Sequence, residues 1–130
     1  MKYVKWVLIA GYVYFILTKT IIGRPAQTAP IFRGLFWEVQ NGYWSDIWLN
    51  IVLFVPLGFL IGGWNGVVVG FVFSCGIESA QYIFRLGYCE VDDVLNNTIG
   101  AGIGSGMNTL DSAMCKARRR DRTETDGKSV

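Results

Sequence analysis

The chain has 130 residues, enough for one domain, and 52% of them are hydrophobic while 17% are charged. A soluble domain of this length usually carries more charge, and half of the lysines and arginines here follow residue 110, so the composition indicates a membrane protein. The absence of histidine excludes Ser-His or Cys-His nucleophilic centres and histidine-ligated metals, and the three widely spaced cysteines predict neither a disulfide framework nor a zinc site.

Four apolar segments are predicted to form transmembrane helices, at residues 4–22, 47–63, 67–84 and 94–110. A helix needs about 20 residues to cross the hydrocarbon core, with a range of about 17–25, so all four are long enough if the shorter ones stand upright. The fourth carries three asparagines and many glycines, and we expect it to insert only by packing tightly against the others. A signal peptide is the alternative for the first segment, but its long apolar stretch favours an uncleaved helix.

Lysines and arginines are concentrated at the two ends of the chain. Lys2 and Lys5 precede the first span, and a basic tail follows the fourth. Basic flanks favour the cytoplasmic side, so we expect a multi-pass protein of the cell membrane with both termini in the cytoplasm and with residues 23–46 and 85–93 facing outward. Residues 1–114 then form the transmembrane domain, and residues 115–130 form a basic tail that is disordered at its end. The tail's position beside the membrane favours an anionic lipid surface, or a simple topology signal, over nucleic-acid binding.

The first outward loop, residues 23–46, is rich in aromatic residues. Within it Ile31, Leu35 and Val39 recur at helical spacing. Aromatic, moderately amphipathic segments between spans often lie at the headgroup level. We therefore predict a short interfacial helix over residues 31–40, next to an all-α bundle of four transmembrane helices.

Polar and small side chains recur on one face of three predicted helices. The spacings are 4, 3 and 4 in the set Ser74, Glu78, Gln81 and Arg85, the same in the set Asp93, Asn97, Gly100 and Gly104, and 4 between Asp46 and Asn50. At about 1.5 Å per residue from the outer helix ends, Asn50, Gln81 and Asn97 lie about 6 Å deep and Glu78 about 10 Å. Such groups are costly in lipid, so we predict that they face one another in a pocket near the outer surface, with Arg85, Glu90, Asp92 and Asp93 close to its rim.

Each of these features has a structural alternative that stays open. Asp92 and Asp93 precede the fourth span, where carboxylates cap helices, and asparagines tie membrane helices together. The two G-x-x-x-G motifs, at positions 100/104 and 102/106, are typical of close helix packing. Pro56 frees a backbone carbonyl inside the second span. We assign helix packing to Pro56, Gly58, Gly100 and Gly104.

Two stretches of the sequence carry a recognisable pattern: "DIWLNIVLFVPLGFLIGG" and "SCGIESAQYIFRLGYCEVDDVLNNTIGAGIG". Together they resemble the VanZ-like family of small bacterial membrane proteins over residues 46–106, with Glu90 standing where many relatives have aspartate. The resemblance implies a multi-span protein of the bacterial cell envelope. The member that names the family is associated with resistance to the glycopeptide antibiotic teicoplanin, and the resemblance implies no particular reaction.

The residues and the resemblance together favour a protein whose outward-facing pocket binds an envelope lipid or a glycopeptide-like ligand, with Arg85 pairing an anionic group. One alternative is a structural or assembly subunit, in which the glycine faces meet a membrane partner or a second copy. The other is an enzyme acting on a lipid-linked phosphate or sugar, in which Glu78, Glu90, Asp92 and Asp93 hold magnesium or calcium. No nucleophile is identifiable. We predict no cofactor and no resident metal.

Overall fold

The computed structural model describes the backbone of residues 2–127 and the side chains of residues 3–122. Four long helices and one short helix account for most of this part of the chain, and two short strands join two of the loops. In chain order the elements are α1 (Lys2–Thr20), β1 (Ile31–Arg33), α2 (Trp37–Asn41), α3 (Trp44–Ile61), α4 (Gly63–Phe84), β2 (Tyr88–Glu90) and α5 (Val91–Gly127). The predicted helical fold class is therefore confirmed.

The helices α3 and α4 form a hairpin joined through Gly62. Both Gly62 (φ 79°) and Gly63 (φ 57°) have positive φ, a backbone conformation that side chains with a Cβ rarely adopt. The amide of Gly62 donates to the carbonyl of Gly58 at 2.8 Å, which closes the last turn of α3. Because the reversal needs so few residues, residues 64–66, which lie between the second and third predicted spans, already belong to α4.

The helix α5 packs against α3 through glycines on both helices. A Cβ placed on Gly100 would overlap the carbonyl oxygen of Ile51, and one placed on Gly104 would overlap that of Val55. On the other side of the contact, a Cβ on Gly58 would meet the backbone of Ala101. Small residues of this kind let two helix backbones approach closely.

The second G-x-x-x-G motif is not used inside the described chain. A Cβ on Gly102 or Gly106 would meet no other atom within 4 Å. Pro56, also assigned to packing, lies within α3, which runs as one helix from Trp44 to Ile61.

The buried core is small and lies where α1, α3, α4 and α5 meet. Its fully or almost fully buried side chains are Ile16, Phe54, Leu57, Ile77 and Ala101. The first helix also donates a hydrogen bond from Tyr12 Oη to the carbonyl of Leu53 at 2.8 Å. Most other large apolar side chains of α3 and α4 point away from the protein.

Within residues 2–127, two helices are long and apolar enough to cross a membrane. They are Trp44–Ile61 and Gly63–Phe84. The sequence predicts four spans, and the other two correspond to α1 and the first part of α5, which are helical but less apolar.

The loop between α1 and α3 differs from its prediction. The expected helix over residues 31–40 is wrong at its start, because Ile31–Arg33 form a strand. This strand pairs in parallel with β2 in the register Ile31 with Tyr88, Phe32 with Cys89 and Arg33 with Glu90. Branched and aromatic residues suit such pairing, and a helix begins only at Trp37. We call residues 31–41 together with residues 88–93 the cap.

The basic tail of residues 115–130 is helical over most of its length. The helix α5 continues to Gly127, so residues 115–127 are helical, and residues 128–130 lie outside the described chain. Alanine, methionine, lysine and arginine, which fill residues 113–120 apart from Cys115, are good helix formers and explain the extension.

Candidate functional site

One arginine holds the three elements of the cap together. The Nη1 atom of Arg33 donates to Oε1 of Glu90 at 2.5 Å. Its guanidinium carbon lies 3.6 Å from the ring centroid of Trp37 and 3.5 Å from that of Tyr88. A planar guanidinium stacks well on aromatic faces while its edge donates to a carboxylate. Arg33 therefore links β1, α2 and β2 into one unit.

Asp92 caps a helix, as one of the two interpretations of this residue predicted. The helix that it caps is α2 and not the fourth predicted span. Its Oδ1 accepts from the amide of Phe36 at 2.6 Å, and its Oδ2 accepts from the amide of Glu38 at 3.0 Å. Phe36 adopts a left-handed conformation (φ 63°) just before α2. Both carboxylate oxygens of Asp92 are thus occupied by backbone amides at the beginning of α2, and they fix that helix to the beginning of α5.

The predicted polar residues of α4 and α5 mainly connect elements. Glu78 Oε2 accepts from the amide of Glu90 at 2.9 Å. Gln81 Nε2 donates to the carbonyl of Thr20 at 3.0 Å. These contacts fasten α4 to β2 and to the end of α1. The side chains of Glu78 and Gln81 are buried and hydrogen-bonded.

Asn97 and Arg85, two further residues of the predicted site, have different surroundings. Asn97 Nδ2 donates to Ser74 Oγ at 2.8 Å, and Asn97 Oδ1 is buried without a hydrogen-bond partner in the described part of the chain. Arg85 ends α4 in a left-handed conformation, is exposed, and donates to the carbonyl of Thr28 at 3.4 Å. Arg85 thus lies outside the polar cluster.

A cavity of about 740 Å³ lies beneath the cap, between α1, α3 and the beginning of α5. Of the predicted site residues, Asn50, Glu90 and Asp93 line it, whereas Glu78, Gln81, Arg85, Asp92 and Asn97 do not. Its apolar side is formed by Phe15, Leu49 and Leu53. Its charged side chains are Lys19, Arg24, Arg33, Glu38, Asp46, Glu90 and Asp93. Sequence reasoning missed most of these, because four of the seven come from the end of α1 and from the loop after it.

Three carboxylates gather in the cavity wall. Glu38, Glu90 and Asp93 can each place an oxygen within 4.8 Å of the others. Asn50 Nδ2 donates to Asp93 Oδ1, and Asn96 Nδ2 donates to Glu38 Oε2 at 2.9 Å. Oxygen ligands of this kind suit magnesium or calcium, and the set differs from the predicted one, since Glu78 and Asp92 accept from backbone amides instead.

Glu38 is the functional candidate that the sequence did not single out. Its side chain is 1% exposed although it belongs to a loop between two long helices. Burial, followed by the charges of Asp93, Glu90, Asp92 and Asp46, raises the pKa of Glu38 to about 8. At neutral pH this carboxyl group is therefore mostly protonated. A cation that binds here would replace the proton.

Comparison with known proteins identifies the family. A family model described as VanZ/LLP1 matches residues 5–110, which include every residue that lines the cavity. The chain is also 30% identical over 90 residues to "Protein VanZ" of Enterococcus faecium, and the match covers 63% of this chain and 55% of that protein. The chain thus spans about half the length of this curated relative. No solved structure matches it significantly. Because the family model takes in all of α3 and α4, most of α1 and the first part of α5, the chain belongs to the VanZ/LLP1 family.

Proposed function

We propose that this protein is a multi-pass membrane protein of the bacterial cell envelope, whose outward-facing cavity binds an envelope lipid or a glycopeptide-like ligand. In this proposal α1, α3, α4 and the first part of α5 each cross the membrane. The observation that carries the proposal is a single cavity lined by apolar side chains as well as by charges of both signs. Such a lining suits an amphiphilic molecule better than a purely polar solute.

The apolar surface of α3 and α4 supports a membrane location. In the most apolar 18-residue stretch of each helix, 17% of the residues of α3 and 28% of those of α4 are buried inside the protein. Trp48, Leu49 and Val52 of α3 are 64%, 66% and 62% exposed. Leaving side chains of this size in water forfeits about 1.5–3 kcal/mol each, and a core helix of a soluble protein would be mostly covered. Lipid tails would cover this surface.

The position of the cavity supports an outward orientation. It lies at the ends of the helices that are remote from the termini of the chain, between Lys19 at the end of α1, Asp46 at the beginning of α3 and Asp93 at the beginning of α5. Most of the basic residues lie at the opposite helix ends, at the beginning of α1 and in the tail of α5. Under the positive-inside rule those ends are cytoplasmic, so the cavity opens to the outer side.

The lipid retained by the purified full chain provides the test. We expect native mass spectrometry to find one class of envelope lipid enriched on the wild type. Lys19→Gln removes a charge from the cavity and should lower its occupancy about tenfold, since a charge-assisted hydrogen bond contributes about 1.5–3 kcal/mol. Lys116→Gln, in the exposed tail of α5, is the matched control and should change nothing.

A parallel measurement connects the cavity to the family's setting. Cells that express the wild type are compared with cells that express Lys19→Gln for growth in teicoplanin. We expect resistance, where the wild type confers it, to fall in the cavity variant and to persist in the Lys116→Gln control. Identical lipid profiles and identical growth for wild type and cavity variant would refute the proposal.

An assembly role is the second candidate, and the exposed face of α5 favours it. Gly102 and Gly106 lie beside Ile103 and Met107, which are about half exposed. An open small-residue face of this kind suits a second helix. Replacing Gly106 with leucine should then abolish co-purification of a partner or a second copy while leaving the lipid profile of the monomer unchanged.

A further inference from the structure

The charges that line the cavity are separated instead of paired. Among the described side chains, the ion pair in the cavity wall is Arg33 with Glu90. Lys19 and Arg24 make no ion pair with Glu38 or Asp93, although all four line the same space. A volume of about 740 Å³ holds roughly 25 waters at about 30 Å³ each, which is enough to keep the two sets of charges apart.

The two sets of charges also differ in depth. Lys19 and Arg24 are exposed, and they belong to the end of α1 and the loop after it, so they stand at the mouth of the cavity. Arg24 is placed by Gly87, where an added Cβ would lie 3.0 Å from its Nη1 atom. Glu38 and Glu90 are buried and Asp93 is partly buried, so the carboxylates lie at the inner end. Because Arg33 neutralises Glu90, the inner negative charge belongs to Asp93, and also to Glu38 once a cation has displaced its proton.

The spacing of the carboxylate oxygens suits a primary ammonium group. Three acceptors that each lie about 2.8 Å from one ammonium nitrogen stand about 4.6 Å apart in a tetrahedral arrangement. The oxygens of Glu38, Glu90 and Asp93 are at most 4.8 Å from one another, so one ammonium nitrogen between them can reach all three. The amides of Asn50 and Asn96 donate to Asp93 and Glu38 and hold the two carboxylates in place.

We propose that the cavity recognises a zwitterionic group in which a primary ammonium is linked to a phosphate. The ammonium lies at the inner end against Glu38 and Asp93, and the phosphate lies at the mouth against Lys19 and Arg24. In a lipid that carries such a headgroup, the acyl chains leave the cavity past Phe15, Leu49 and Leu53. This inference rests on the proposed function, because it names the chemical class of the ligand for the same cavity. A ligand of this kind satisfies both sets of charges at once, which neither an anionic lipid nor a metal ion does.

The test measures headgroup preference with defined probes. The purified full chain is titrated in detergent with phosphatidylethanolamine, phosphatidylglycerol or phosphatidylcholine, and the bound lipid is counted by native mass spectrometry. Phosphatidylglycerol lacks the cation, and phosphatidylcholine has a cation without N–H donors. We expect phosphatidylethanolamine to bind at least about tenfold more tightly than either, since it alone makes the charge-assisted hydrogen bonds at the inner end.

Variants separate the two ends of the cavity. Glu38→Gln and Asp93→Asn should each reduce phosphatidylethanolamine binding to the level of phosphatidylglycerol without changing phosphatidylglycerol binding. Lys19→Gln should weaken both lipids equally, and Asp111→Asn, in the exposed part of α5, should change neither. Circular dichroism melts identify any variant that unfolds. If one of the two carboxylate variants unfolds, the other still tests the inner end of the cavity.

A competition experiment distinguishes a lipid from a soluble source of the same group. Glycerophosphoethanolamine that displaces the lipid at a similar concentration identifies a soluble ligand, and its failure to compete identifies a bilayer lipid. Both results support the zwitterion. Equal binding of the three lipids overturns this inference but leaves the proposed function standing, whereas the absence of any cavity-dependent lipid binding overturns both. Binding that requires calcium or magnesium and is lost with EDTA also overturns the inference, because the carboxylates would then hold a metal.

Discussion

Replacing Gly104 with alanine tests a close contact between α3 and α5. An alanine Cβ at this position would overlap the carbonyl oxygen of Val55 and lie 2.7 Å from the amide nitrogen of Phe59. Both are backbone atoms, so they cannot rotate away as a side chain would, and α5 must separate from α3. Overpacking of this kind costs about 1–3 kcal/mol. Gly100→Ala meets the carbonyl of Ile51 and should behave in the same way.

The chain supplies its own controls on the opposite face of the same helix. At Gly102 and Gly106 an added Cβ meets nothing within 4 Å. Alanine is favoured over glycine inside a helix by about 0.5–1 kcal/mol, so Gly102→Ala and Gly106→Ala should stabilise the protein slightly. The inward variants gain the same helix preference but lose about 1–3 kcal/mol to overpacking, so the outward variants should be more stable than the inward ones by about 1–3 kcal/mol.

The assay is reversible unfolding of the full chain in mixed micelles, followed by far-UV circular dichroism as the denaturing detergent increases. The midpoint should fall for the two inward variants and rise slightly for the two outward ones. Equal shifts for Gly102→Ala and Gly104→Ala, or stabilisation by Gly104→Ala, would show that α5 does not meet α3 through this face.

Two further predictions concern the cap. Because the pKa of Glu38 is raised from 4.5 to about 8, the folded state binds its proton more tightly than the unfolded chain does. This proton's contribution to the free energy of unfolding is complete below about pH 4.5. The contribution is lost as the pH rises through 8, by at most about 1.4 kcal/mol per pH unit. This slope should be smaller in Glu38→Gln. Asp92→Ala leaves the amides of Phe36 and Glu38 without an acceptor, at a cost of about 1–3 kcal/mol per buried group, and should speed hydrogen exchange at these two amides.

Each of the two cap predictions has a result that would contradict it. A pH profile of stability that is the same for wild type and Glu38→Gln would show that this carboxyl group does not hold the extra proton. For Asp92→Ala, unchanged exchange at Phe36 and Glu38 would mean that α2 is held by other contacts. Amides in the middle of α3, around Phe54, should keep their protection and serve as the internal reference.

The long helices could be predicted from the sequence because each one carries its own signal. Runs of about 20 apolar residues and the glycine pair at 100 and 104 are local patterns, and the structure has helices at all four predicted segments. The strand at Ile31–Arg33 could not be predicted in this way. Its partner, Tyr88–Glu90, lies 57 residues further along the chain, and parallel pairing over that distance has no local signature. The apparent helical spacing of Ile31, Leu35 and Val39 arises by coincidence.

The sequence predicted that polar side chains gather near one end of the helices, but not which of them line the cavity. It placed Asp93 near the rim and Asn50 about 6 Å deeper, and these two side chains are in contact. Which carboxylates line the cavity depends on which of them accept backbone amides, and that depends on the strand pairing. The carboxylate of Asp92 accepts backbone amides at the beginning of α2 and does not line the cavity, whereas Glu38 does. Helical periodicity carries no information about either choice.

The pairing of β1 with β2 has a consequence for how the chain matures in the cell. The first strand leaves the ribosome before α3 and α4, and the second leaves after them. The stacking of Arg33 and its bond to Glu90 therefore form only when the hairpin between the two strands has been placed. A chain that stops before Tyr88 leaves β1 with an unpaired strand edge, which is a template for pairing with another chain. Closure of this small ribbon therefore requires that α3 and α4 have already been made.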